Sequence, residues 1–446
     1  MKKVINNKLF IGLVALAGFS ISGIALAASP IVNTLPATSV TASSATLNAS
    51  LVSDGGHTVT SAGFQFGENQ NYNNTVSANV PNYAFESMFG SSGWGMQPGT
   101  FNQPMDIAIN ASTGKIYIIE QNGSSSRVQI YTSAGVFESQ FGGVGTGNGQ
   151  FDTTGGVALD QSGNVYVTDY ANNRVQKFTA DGAYISQFGG WGFEGGSFYG
   201  PSGIAIDSSG NILVVDTQNN RVQKFDSNGN FIFEFGAAGS GNGEFNIPWG
   251  IDVDQDGNIY VVDAYNHRVQ KFNQSGEYLA QFGGQGSANG QFFTPYGIDV
   301  DQGGMIVVGD SGNSRVQIFN SDLSYATQFG VYNGNNPVGG EFFGVGGVAV
   351  DATGAIYASD INNSRIQKFS RKFSATTSSL KCGKVFHYRA FATSVDGTGY
   401  GNDRVFSTPA CITTVRPVTE VVGPAITRPT TTPVLKATVI DSKIKK

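Results

Sequence analysis

The chain repeats itself six times. Units begin at Phe101, Phe151, Phe198, Phe245, Phe292 and Phe342, at intervals of 50, 47, 47, 47 and 50 residues. The clearest copy, from Phe245, reads FNIPWGIDVDQDGNIYVVDAYNHRVQKFNQSGEYLAQFGG. It holds four short apolar or alternating runs, GIDVD, NIYVVD, RVQKF and YLAQFG, each of strand length and strand pattern. Asp-x-x-Gly-Asn, as at Asp207–Asn211, is turn chemistry between the first two. Such a unit cannot bury both its faces alone, so copies must pack side by side, and four strands in 40–50 residues predict a propeller blade. The 61 glycines, without a Gly-X-Y period, fit an all-β chain full of tight turns. The sixth unit stops at Ser370 after three strands, and Tyr83–Gly90, ahead of the first unit, matches the missing fourth. A strand borrowed from the start closes the ring and removes an open sheet edge. The expected fold over 83–371 is therefore a six-bladed β-propeller.

The units resemble NHL repeats, whose pattern is P-x-G-[IV]-A-[IV]-D, then G-N-[IV]-Y-V-x-D, then N-x-R-[VI]-Q-K-F. The run D-x-x-N-x-R stands at Asp169–Arg174, Asp216–Arg221, Asp263–Arg268, Asp310–Arg315 and Asp360–Arg365. The first unit departs from it, with Glu120 in the aspartate place and two extra residues before Arg127. Whatever recurs in every unit is expected to hold the unit together. The repeated Asp, Asn and Arg side chains are thus read as buried hydrogen bonds and ion pairs, and Asp160, Asp207, Asp254, Asp301 and Asp351 as turn residues.

Alternating strands also flank the repeats, at 38–82 and at 373–408. Neither piece has strands enough for its own core. Joined, 28–82 and 372–411 resemble one fibronectin type III-like (Ig-like) sandwich, with S-A-T-L-N early and F-x-Y-R-A-F-A-T late, into which the propeller is inserted. Phe386 stands where that fold often carries a corner tyrosine.

Residues 1–27 carry Lys2, Lys3 and Lys8, an apolar stretch and Ala25-Leu26-Ala27. This predicts a signal peptide cleaved after Ala27, hence a secreted, periplasmic or cell-surface protein; an uncleaved anchor is the rival reading. In that setting Cys382 and Cys411 are expected to form one disulfide. Residues 412–446 read as a flexible tail containing Thr and Pro. The net charge of −6 argues against a nucleic-acid partner. No later segment is apolar enough to span a membrane, and a monomer is expected.

Residues that break the symmetry are the site candidates. The P-x-G place before each first strand holds Met105, Gly155, Ser202, Trp249, Tyr296 and Gly346. The loop between second and third strands, on the same face, contributes Tyr170, Tyr265 and His267. Trp249, Tyr296, Tyr265 and His267, with Met105 and Tyr170 nearby, would ring the mouth of the central channel as a ligand-binding face, and Trp191 would extend it. Asp252 and Asp299 replace Ala158, Ala205 and Ala349 of the other inner strands and could hold Ca²⁺, the one cofactor considered. The chain has three histidines, His57, His267 and His387, only one of them in the propeller, which excludes a three-His zinc site within it. The preferred reading is a non-catalytic binding protein for an extracellular protein, peptide or glycan. The alternative, which the resemblance brings in, is a Ca²⁺-dependent lyase or lactone hydrolase.

Overall fold

The computed structural model describes residues 29–411 except 56, 94–96, 122–125 and 335–337. The expected signal peptide and tail lie outside the described residues. The chain is all-β with a few single-turn 3₁₀ segments, and among the described residues no helix is long and apolar enough to cross a membrane.

Five four-stranded antiparallel sheets follow one another from Pro104–Gly142, Thr154–Gly189, Pro201–Phe235, Pro248–Gly283 and Ile298–Phe329. The sixth combines Val345–Val350, Ile356–Asp360 and Arg365–Ser370 with Ala84–Phe89 from ahead of the first sheet, Ile366 facing Phe89 and Ser370 facing Ala84. Second strands such as Ile212–Asp216 are buried throughout, because both faces of the sheet are covered by neighbouring sheets. Apolar clusters lie between successive sheets. Leu213, Val215, Ile251 and Val261 join the third to the fourth, and Ile107, Ile118, Ala349 and Tyr357 join the sixth back to the first. The sheets therefore form a closed cycle.

The phenylalanine that opens each unit is its plug. Phe101, Phe151, Phe198, Phe245, Phe292 and Phe342 are all fully buried. Each packs on the aromatic residue ending the third strand of its own sheet, as Phe198 does on Phe225 at 5.4 Å. The ring leaves no room beside the preceding strand end. Gly189 takes φ +98 there, and a Cβ on it would meet the Phe198 ring at 2.6 Å.

Repeated Asp–Arg pairs clamp the crossover between sheets. Asp216 Oδ2 accepts from Arg221 Nε at 2.8 Å and its Oδ1 from the Tyr199 amide at 2.7 Å. Arg221 Nη2 then donates to the carbonyls of Glu194 and Ser197 in the crossover. The first unit keeps the clamp despite its departure in sequence. Glu120 and Arg127, both fully buried, meet at 2.6 Å, the longer acid reaching across the longer loop.

Both flanks join in a two-sheet sandwich. Lys372–Thr377 pairs with Ala45–Ser50, and Ser61–Gly67 pairs with His387–Thr393. The core includes Leu47, Phe64, Phe373 and Tyr388. Phe386 stacks on Phe406 at 5.4 Å, while Tyr388, two residues on, donates its hydroxyl to the Leu35 carbonyl at 2.6 Å. At the junction Arg371, buried, pairs with Asp54 at 2.8 Å and lies over the Tyr83 ring. Cys382 and Cys411 are disulfide-bonded, their Cα atoms 5.1 Å apart. The bond closes a sequence separation of 29 residues, so reduction is expected to cost about 2–4 kcal/mol. Urea melts with and without reductant test this, and superimposable curves would show the bond to be dispensable.

Candidate functional site

The first strands of the six sheets line a central channel. They approach so closely that a Cβ on Gly203 would collide with the Trp249 carbonyl. Small residues are thus required at most inner positions, and larger or charged ones there stand out. Three carboxylates break the pattern: Asp106, Asp252 and Asp299 all line a cavity of about 210 Å³ in the channel. Each is held by the next sheets: Asp106 accepts from the Val157 amide at 3.0 Å, Asp252 from Val300 at 2.6 Å and Asp299 from Val350 at 3.1 Å. Burial in the channel pushes Asp106 up to about 6 and Asp252 up to about 7, the latter also feeling the Asp106 charge. Burial, then the charges of Asp252 and Asp301, holds Asp299 well above the usual carboxylate range. Among the described residues no group of three or more His, Cys, Asp or Glu is arranged to hold a metal ion. A cation here would draw on Asp252, Asp299 and backbone carbonyls.

Asp106 escaped the sequence reading. It occupies the glycine place of the P-x-G run, in Pro104-Met105-Asp106, where Gly203 stands in the third sheet. That place in the other five units holds Gly156, Gly203, Gly250, Gly297 or Gly347, so comparing it as well as its neighbour flags Asp106.

One mouth of the channel is aromatic. Trp249 stacks on Tyr170 with centroids 6.0 Å apart and meets Tyr296 edge-on at 5.2 Å. These rings come from the second, fourth and fifth sheets, so Trp249 lies across the opening. Met105 also lines the channel and is buried, in a cluster against which Trp249 packs. Burial, with a smaller contribution from Tyr265, raises the Tyr296 phenol, and Tyr265 itself is 53 % exposed.

His267 is engaged elsewhere. Its φ is +56, and its Nδ1 accepts from the Thr294 amide at 3.0 Å while the ring stacks on Phe293. Asn173 and Asn220 make the same bond to Gly200 and Ile247, so His267 stands in for a left-handed asparagine of the repeat. His57 and His387 lie in the sandwich, bonded to Asp396 and Asp403.

The opposite mouth faces the sandwich. A second cavity, of about 330 Å³, is lined by Ile31, Val52 and Ser53 on one side and by Asp299, Asp301 and Asp351 on the other.

The NHL repeat family model matches residues 155–178, 198–225, 245–272 and 294–319. A search of the curated proteins finds no match. Among solved structures the chain is similar to a streptogramin B lyase, at 13 % identity over 72 % of this chain and 98 % of that one, with a TM-score of 0.45. It is similar also to a catalytically inactive virginiamycin B lyase from Staphylococcus aureus with quinupristin, at 16 % identity over 77 % and 99 %, with a TM-score of 0.44. The WD40 β-propeller domain of Doa1 matches at 12 % identity over 65 % and 97 %, with a TM-score of 0.43. Likenesses this distant say nothing of activity. The middle of the chain is built of NHL repeats, folded as a β-propeller.

Proposed function

We propose that the chain is a binding protein without catalytic activity: a six-bladed NHL propeller at 83–371, carried in a fibronectin type III-like sandwich and acting outside the cytoplasm. Its ligand, a protein, peptide or glycan, sits on the aromatic channel mouth. The observation that carries this reading is the gathering of Tyr170, Trp249 and Tyr296 from three separate sheets. Half-exposed rings with hydroxyls at their edges suit a ligand that is partly apolar and partly polar. Each channel carboxylate is already bonded to a backbone amide.

Glycan and peptide arrays probed with the protein and with Trp249→Ala test it. The variant is expected to melt with the parent and to bind the selected ligand about 30-fold or more weakly, as for a central tryptophan anchor. Chelator should leave binding unchanged. Turnover of a lactone or cyclic ester that stops on chelation, and that Asp252→Ala abolishes, would favour the Ca²⁺-dependent enzyme instead.

A further inference from the structure

The aromatic mouth does not end at Tyr170. The crossover between the second and third sheets carries Trp191, Phe193 and Tyr199, which are 66 %, 60 % and 43 % exposed. Trp191 meets Phe193 edge-on at 5.4 Å, and Phe193 meets Tyr199 at 6.2 Å. The next residue, Gly200, lies directly against the Tyr170 ring, whose hydroxyl accepts from Gln218 Nε2 at 2.8 Å. The rings therefore continue from the rim of this face inward to Tyr170, Trp249 and Tyr296.

The fold does not require these rim rings. Trp191 bridges to Phe198 just as Ser92, Val144, Ala238 and Gln285 bridge to Phe101, Phe151, Phe245 and Phe292 in other sheets, and a ring recurs there only as Tyr332 against Phe342. Thr146, Ser240 and Ser287 stand in the place of Phe193; the place of Tyr199 holds Asn102, Asp152 and Asn246 in three units and a ring, Phe293 or Phe343, in two. Exposing two large rings at 191 and 193, where serine, threonine or glutamine stands in other units, forgoes burial with no gain in packing.

Resting on the binding reading above, we propose that these rings form one track that takes a neutral glycan chain, its sugar faces stacked on the rings from Trp191 to Trp249 and Tyr296. Charge supports a neutral ligand. Loop segments 170–173, 190–200, 217–220, 264–267 and 284–297 contain one acidic and no Lys or Arg side chain, the exception being Glu194. An anionic chain finds no cation there, and sugar hydroxyls find Gln218, Glu194 and tyrosine hydroxyls as hydrogen-bonding partners. The backbone disfavours an extended peptide. Within the crossover the amides of Gly192, Ser197 and Phe198 are bonded to carbonyls of the same loop, and Gly196 to Gln223, so no ladder is open to strand addition.

Calorimetric titration with cellohexaose, xylohexaose and chitohexaose, and with the matching disaccharides, tests the track. At least one hexasaccharide is expected to bind at least tenfold more tightly than its disaccharide. Trp191→Ala and Phe193→Ala should erase that length advantage and leave the disaccharide affinity alone. Trp249→Ala should weaken both, and Tyr332→Ala, an exposed ring at another crossover, should change neither. Melting curves confirm that each variant is folded. If no neutral oligosaccharide binds but an array peptide does, with loss in Trp249→Ala, the mouth is a binding site and the glycan track is wrong. If the ligand that binds is indifferent to Trp249→Ala, both readings fall.

Discussion

Asp263→Ala is expected to lose about 3–5 kcal/mol of stability, because it breaks a buried pair from one side only. The carboxylate, itself fully buried, accepts four hydrogen bonds: from the Asn246 amide, Asn266 Nδ2, Arg268 Nε and Gln270 Nε2. Removing it strands all four donors and leaves the guanidinium of Arg268 buried with only its remaining acceptors. Arg268 Nη2 holds the carbonyls of Gly241 and Glu244, so the crossover into the fourth sheet loosens as well. Chemical denaturation measures the loss. Asp216→Ala and Asp310→Ala should cost similar amounts, since the same bonds recur at each. A loss below about 1 kcal/mol at all three positions would mean that the pairs are incidental to the fold.

The second large effect concerns pH. Asp252 titrates near 7 in the folded chain, against an ordinary carboxylate value near 4 in the unfolded one. Between those values the folded state holds a proton that the unfolded state has released. Stability therefore falls as pH rises from about 4 to about 7 and levels off above. Asp252→Asn keeps an oxygen to accept from the Val300 amide and cannot ionise. It should match the parent at pH 4 and exceed it at pH 8 by about 2 kcal/mol, a figure reduced from the full shift because Asp252 is only partly buried. Melting temperatures across that range decide. A calcium ion held by Asp252 and Asp299 would reverse the outcome: the parent would be the more stable at pH 8, and chelator would remove its advantage.

What repeats was legible in the sequence. The strand runs, the turn aspartates and the clamp arginines recur in register, so each copy checks the others. The clamp is seen in all six four-stranded sheets of the ring, even where Glu120 hides it. What happens once was harder to read. Trp249, Tyr296 and Tyr170 could be singled out as departures from the pattern and do meet. His267 looked equally distinctive, yet its backbone conformation and its bond to Thr294 make it a variant of a repeated asparagine. Asp106 is a single departure at a glycine place whose variable neighbour, Met105, was the position compared between units. Phe193 and Tyr199 belong to a crossover whose length and polar neighbours give no hint of direction. Only the folded backbone shows that it carries them from the rim to the side of Tyr170.

Pairing Ala84–Phe89 with Arg365–Ser370 also sets an order of events for a chain made from its N-terminus. Arg365 follows its neighbour Met88 by 277 residues. At ordinary synthesis rates the early strand waits roughly 15–55 s for its partner. During that time one terminal blade can neither finish its sheet nor pack against the first. The sandwich waits longer still, because Val385–Ser394 is needed by Ser61–Gly67. Sheets one to five can form in sequence as they emerge, but ring and sandwich close together, late, around Arg371 and Tyr83. A chain cut short before Arg365 would be left as an open crescent with unpaired strand edges at both ends.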